Sequence, residues 1–227
     1  MLGASVNALA VFISGLFGLK LANYIKPSYK DAIMKFLALT IVAIGIESSL
    51  KGDMLIILIS IILGVIIGEF FDLEGKLTRF ANMLKDKFIK NEENDFATGF
   101  VSGTLIFCVG SLGILGAIEA GVNGDNSILF TKAIIDSLSS IFLSTTLGIG
   151  VACSAGMIFV YEGLIALLSG FLAPILSTEI LANISGVGGI TIIAVGLSML
   201  DLVKFKLVNS LPAIAIPIII GLIMNLI

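Results

Sequence analysis

The chain has 227 residues, of which 58% are hydrophobic and 13% charged, with a formal net charge of −3 and a mean hydropathy of +1.16. Soluble domains carry about 25% charged residues, so a water-soluble globular fold is excluded. Histidine is absent, which removes the commonest general base and the commonest transition-metal ligand.

Apolar stretches long enough to cross a hydrocarbon core of ~30 Å fall at about 3–23, 32–50, 53–71, 97–118, 127–147, 150–173, 181–200 and 208–227. The expected fold is therefore an all-α integral membrane protein of about eight transmembrane helices. The amino end, MLGASVNALAVFISGLFGL, has no basic residue before its apolar run, and that run is long enough to span. It reads as a first span and not as a cleaved leader. This span carries Asn7 and a small Ser14-Gly15 pair. Span two carries LTIVAIGI at 39–46, and span three carries Gly64 in LISIILG.

Residues 72–93, DLEGKLTRFANMLKDKFIKNEE, differ from everything around them. Leu73, Leu77, Phe80, Leu84 and Phe88 recur at helical spacing with charges between them, the pattern of an amphipathic helix lying on the cytoplasmic face, either as a surface connector or as a regulatory or partner-docking helix. Span four contains FCVGSLGILGAIEAG, where Gly110, Gly113 and Gly116 leave one face nearly bare. Two readings stand: close packing through small residues, or a broken helix that exposes backbone carbonyls to a ligand.

Span five is interrupted by Lys132 and Asp136, one helical turn apart. Ser139, Ser140 and Ser144 extend the polar face, while Ile134, Ile135, Leu138 and Phe142 point away. Charges at membrane depth are expensive and face the protein interior or a water-filled cavity. The pair is either an internal ion pair that fixes helix packing, or a site where Asp136 receives a cation or proton while Lys132 tunes it or meets an anionic solute group. Lys132 also lies near enough to a span end to snorkel. Glu162, midway along span six, must be paired, solvated or protonated. Cys108 and Cys153 lie in apolar segments and read as small buried hydrophobes. GVGG at 186–189 leads into ITIIAVGL at 190–197, and span eight holds Asn209 and Pro217. Pro217 is expected to kink the last helix or free a carbonyl. Asn7 and Asn209 are expected to hydrogen-bond across helices or to offer oxygen ligands to a cation.

The basic residues orient the spans. Eleven of the thirteen lie in or beside alternate connections: Lys20, Lys26, Lys30 and Lys35 at the first, Lys76, Arg79, Lys85, Lys87 and Lys90 at the third, and Lys204 and Lys206 at the seventh. Positive charge gathers on the cytoplasmic side, so a cytoplasmic (inner) membrane protein with both termini outside is expected. LTIVAIGI and ITIIAVGL then lie in spans two and seven, an odd offset, and cross in opposite directions. Gly15 with Gly170, and Gly64 with Gly221, extend the match. Spans one to three (1–71) and six to eight (150–227) read as an inverted repeat around a central two-helix insert (97–147), an arrangement typical of transporters. A re-entrant span five would undo this inversion.

No nucleotide-binding loop, zinc motif or nucleophilic triad is present, so neither an enzyme nor a cofactor is expected. The motifs above also carry a resemblance. Asn7 with Gly15 and Gly18, AIGI at 43–46, LGVIIGE at 63–69, FCVGSLGILGAIEAG with Gly124-Asp125, TKAIIDS at 131–137, GIGVACSAG at 148–156, GVGG and the Asn209-Ser-Leu-Pro-Ala segment together resemble the bacterial YdfK-type membrane proteins, a domain of unknown function. One departure stands out: where that family tends to have glutamine before the glycine of span six, this chain has Glu162. The resemblance implies a polytopic inner-membrane protein of transporter type and names no substrate. The expectation is a permease for a small solute, its midplane site between spans two, four, five and seven and drawn from Lys132, Asp136, Ser140, Glu162, Asn7, Asn209, Gly110 and Gly113. An ion channel, or a protein that binds lipid or a partner without transport, is the alternative. The partners expected are the bilayer, a small solute or ion and a further copy of the chain, with no nucleic acid.

Overall fold

The structure, a computed structural model, describes residues 1–88, 96–108 and 111–224, and all regular structure among them is helical. Helix α1 (Leu2–Ala22), α2 (Pro27–Ser49) and α3 (Met54–Phe71) are the first three spans, and α4 (Leu73–Phe88) follows. Span four is divided into α5 (Phe96–Cys108) and α6 (Ser111–Val122), whose axes differ by 61°. Gly110 lies outside the described residues. Helix α7 (Ser127–Leu147) is one continuous span of 21 residues. Span six is built from α8 (Ile149–Cys153), α9 (Ala155–Leu167) and α10 (Ser169–Leu172), and span seven is α11 (Thr178–Met199). The last span begins as a 3-10 segment, Leu207–Ile214, and continues as α12 (Ile216–Met224). Seven of these stretches are long and apolar enough to cross a membrane, or eight if the bent α5–α6 pair counts as one span.

Local chemistry sets the ends. Asp53 Oδ1 accepts from Leu55 N at 2.8 Å and Ile56 N at 3.2 Å, capping α3, and Ser177 Oγ accepts from Ile180 N at 3.2 Å at the start of α11. Such side-chain acceptors satisfy amides that have no carbonyl one turn back. Pro27 opens α2, where its missing N–H costs nothing. Between α7 and α8 the chain turns at Gly148, with φ 75° and ψ −166°, a conformation that a side chain would oppose. Of the two outcomes expected of Pro217, a kink in the last helix or a freed carbonyl, the kink is not where it stands. The proline sits in the first turn of α12, where no N–H is needed, and the break lies upstream where the 3-10 segment containing Pro212 ends at Ile214.

The spans pair out of chain order. Helix α1 packs along α7, α2 along α11, and α3 against the 3-10 segment. The α2–α11 contact joins the two repeated octamers. A Cβ on Gly45 would lie 2.7 Å from Ile193 Cγ1 and 2.8 Å from Gly189 O, and one on Gly196 would lie 2.6 Å from Val42 Cγ2 and 2.8 Å from Ala38 O. Under the sequence match, Gly45 corresponds to Gly196, Val42 to Ile193 and Ala38 to Gly189. Each contact therefore has its exchanged counterpart, as in a two-fold interface, and residue numbers rise along α2 as they fall along α11. The helices are antiparallel, and glycine lets their backbones touch.

Helix α4 is joined to the start of the last span by a pair of reciprocal bonds. Asn209 Oδ1 accepts from Glu74 N at 2.8 Å, and Glu74 Oε2 accepts from Val208 N at 2.8 Å. Lys206 Nζ donates to Glu69 Oε2 at 2.7 Å beside them. Leu73 and Leu77 pack against the core, Ala81 is buried with Phe96 and Phe100, and the Phe80 ring meets Phe100 at 6.3 Å. Residues 89–93 of this stretch lie outside the described residues. On this lysine-rich side, Asp31, Lys35, Glu74, Asp201 and Lys204 line a cavity of about 700 Å³, into which α5 also projects Thr98 and Ser102.

Candidate functional site

Helix α7 presents Lys132, Asp136, Ser140 and Ser144, four residues apart, to the interior. All four are buried, whereas Ile134, Ile135, Leu138 and Phe142 are 67%, 51%, 56% and 44% exposed. Lys132 does not snorkel. Ser139 departs from the expected stripe: it is only half-buried, and its hydroxyl donates to Ile135 O of its own helix at 3.1 Å.

The ammonium of Lys132 meets three acceptors. It donates to Phe107 O at 2.7 Å and to Asp136 Oδ2, and lies 3.4 Å from Glu162 Oε1. An ammonium has three N–H groups and no more. Phe107 lies near the described end of α5, beside the bend of span four. Asn7 on α1 completes the cluster, donating from Nδ2 to Asp136 Oδ2 at 3.2 Å and to Glu162 Oε1 at 2.8 Å. One amide bridges both carboxylates with its two hydrogens. Ser140 Oγ donates to Val11 O at 2.9 Å and ties α7 to α1 just below.

The ionised cluster holds one positive and two negative charges. Glu162 is 0% exposed, and its Oε2 has no hydrogen-bond partner, nor does Asn7 Oδ1. Both unpartnered atoms are acceptors, and both would be satisfied by a proton or a cation. Gly113 on α6 faces the cluster: a Cβ there would lie 3.4 Å from Lys132 Cε, 3.7 Å from Glu162 Oε1 and 3.7 Å from Tyr161 Cε1.

Of the residues singled out from sequence, Asn7, Lys132, Asp136, Glu162 and Gly113 converge here, with Ser140 beside them. Asn209 does not: it caps α4 near the lysine-rich side. The cluster lies between spans one, four, five and six, and not among two, four, five and seven. Spans two and seven spend their small residues on each other. Phe107 O, Thr104 and Tyr161 also belong to this region and were not singled out. For Phe107 the helix break was the available signal; for the two hydroxyls there was none.

A family model described as "Protein of unknown function (DUF554)" matches residues 2–222. The uncharacterized membrane protein YdfK of Bacillus subtilis (strain 168) is 32% identical over 222 residues, covering 96% of this chain and 94% of that protein. The uncharacterized protein YqgA of Escherichia coli (strain K12) is 28% identical over 219 residues, covering 94% and 93%. No solved structure matches.

Proposed function

We propose that this chain, which belongs to the DUF554 family of proteins of unknown function, is a secondary transporter for a small solute, with its coupling site at the Asn7–Lys132–Asp136–Glu162 cluster. One observation carries the reading: a buried cluster with one cation and two carboxylates, two of whose acceptor atoms lack partners. A pair kept only for packing needs no odd charge. Two unit charges ~4 Å apart interact by about 4 kcal/mol at an effective dielectric near 20. An entering cation gains on that order at the net charge of −1, and an anion loses it. Lys132 already donates to Phe107 O and to Asp136 and lies 3.4 Å from Glu162, which argues against its use as an anion receptor.

The inverted-repeat architecture draws support from the reciprocal contacts of Gly45 and Gly196 across antiparallel helices. The carbonyl of Phe107, near the bend of span four, accepts from Lys132, which accords with the discontinuous helices of transporter sites. The lysine distribution supports an inner-membrane orientation with both termini outside. In that frame α4 lies at the cytoplasmic face, and the cavity of about 700 Å³ is the vestibule on that side.

The test is flux in reconstituted vesicles loaded with mixtures of amines, amino acids and organic acids. Asp136→Asn and Lys132→Ala are expected to abolish proton-coupled exchange that the parent protein supports. Unchanged flux in both variants contradicts the assignment of the site.

A further inference from the structure

A second cavity, of about 400 Å³, lies against the cluster, with Thr104, Cys108, Tyr161, Ile165, Ile184 and Ile214 among its walls. Its size is at the low end for small-molecule pockets, and its lining is mostly aliphatic. Two hydroxyls break that lining. Thr104 Oγ1 and Tyr161 OH are both buried without a hydrogen-bond partner, and Thr104 is only 5% exposed. This is unusual within the chain itself. Thr40, Thr131, Thr145 and Thr146 return their hydroxyls to carbonyls of their own helices at 2.6–3.0 Å, the ordinary resort of a helical threonine. Thr104 does not do so.

The cavity and the cluster share a wall. The Tyr161 ring and the Glu162 carboxylate flank the same gap at Gly113, each 3.7 Å from where a Cβ would stand. Cys108 follows Phe107, whose carbonyl holds Lys132. The charged and titratable groups that act on Glu162 are Lys132 and Asp136 from α7, Cys108 from α5 and its neighbour Tyr161; α1 contributes neutral Asn7 and α6 contributes Gly113. With every carboxylate ionised they sum, with Glu162, to one uncompensated negative charge.

We infer that this cavity binds a small organic ammonium with an apolar body, which displaces a proton from Glu162. The aliphatic wall takes the body, the Thr104 and Tyr161 oxygens accept from the ammonium N–H groups, and the site's negative charge selects the cation. The exchange balances: Glu162 loses its carboxyl proton to the aqueous phase as the ammonium enters, and regains it as the ammonium leaves. The inference rests on the cluster being the transport site and supplies the solute class that the transport reading lacks.

The experiment measures equilibrium binding to the purified full chain, so it does not require transport to occur. The probe is radiolabelled phenethylamine, with 3-phenylpropionate as an anion of similar size, and a pH dye in weak buffer counts protons released. Saturable amine binding, about one proton released per amine bound, and at least tenfold weaker binding of the anion are expected. Glu162→Gln, which keeps the oxygen that Asn7 and Lys132 use, is expected to abolish proton release and weaken amine binding at least tenfold. Thr104→Val and Ile165→Phe, removed from the charges, are each expected to weaken binding severalfold while thermal unfolding stays that of the parent. Equal or better binding of the anion, or amine binding indifferent to Glu162 and Thr104, overturns the inference. Competition by lipid acyl chains in place of amines, with no proton released, also overturns it. Binding as expected but without exchange in vesicles sinks the transport reading alone; exchange of some other solute without amine binding sinks this one alone.

Discussion

At the scale of single residues, Lys132 shows how a charge survives at membrane depth. Its ammonium donates to Phe107 O and Asp136 and lies 3.4 Å from Glu162, and Asn7 ties the two carboxylates together. Removing the lysine from such a set leaves both buried carboxylates uncompensated, and breaking a buried pair in this way costs roughly 3–5 kcal/mol. Lys132→Met is therefore expected to lower the thermal midpoint of the purified protein sharply. Combined with Asp136→Leu it is expected to recover most of the loss, because the pair then leaves together; additive losses would show that the two do not interact. The polar stripe of α7 was legible from sequence, since two charges and several serines on one face of an apolar helix have only one inward solution. The convergence of Asn7 and Glu162 on that stripe was not legible. They lie 129 and 155 residues apart from their partners in the Asn7 bonds, and nothing local selects the partner. Asn7 and Asn209 make the point: each is an amide in an apolar stretch, yet one bridges two carboxylates and the other caps a helix.

At the scale of elements, contact between α2 and α11 depends on glycine at corresponding positions. A Cβ on Gly45 or on Gly196 would come within 3.0 Å of backbone as well as side-chain atoms, so the helices must separate to admit one. Overpacking of this kind costs typically 1–3 kcal/mol. Gly45→Ala and Gly196→Ala are expected to destabilise by similar amounts, because the contacts are exchanged counterparts; a large loss in one and none in the other would contradict the symmetric packing.

Helix α4 offers a pH-dependent element. Burial raises the Glu74 carboxyl above its ordinary value of 4.5, against the opposing bond from Val208 N. Between the ordinary and the raised value, the docked helix binds more protons than the released one. Docking therefore weakens as pH rises through that window. Amide exchange of α4, corrected for its intrinsic pH dependence, should show less protection above the window than below it. Glu74→Gln should flatten the profile, since its amide oxygen can still accept from Val208 N. The helix itself was legible from its three- and four-residue apolar spacing. Its tie to the last span was not, because the tie runs through backbone amides, which leave no mark in a sequence.

At the scale of the whole molecule, hydropathy sufficed for the spans because length and apolarity are nearly all that a lipid environment requires. The interruptions are a different matter. Span eight enters as a 3-10 segment around Pro212, and span four bends by 61° between α5 and α6; neither interruption is a matter of hydropathy. The charged residues converge between spans one, four, five and six, because the small residues of spans two and seven are taken up in contact between α2 and α11. Orientation remains a prediction of the lysine distribution. Single cysteines at Tyr24 and Asn123, in connections of opposite expected side, should react with an impermeant thiol reagent from the cytoplasmic and outer faces respectively; the reverse pattern would invert the molecule.

The central claim is that the charged cluster is a transport site reached from both sides of the membrane. Access at Gly113 tests it most directly and needs no knowledge of the solute. A cysteine at this position, in a background with Cys108 and Cys153 replaced, fits at ordinary contact distance from Lys132 and Glu162. The account predicts labelling by an impermeant thiol reagent applied to sealed vesicles of either orientation, with the two rates shifting in opposite directions when external pH is changed. Labelling from neither side, or from one side only under every condition, would contradict it.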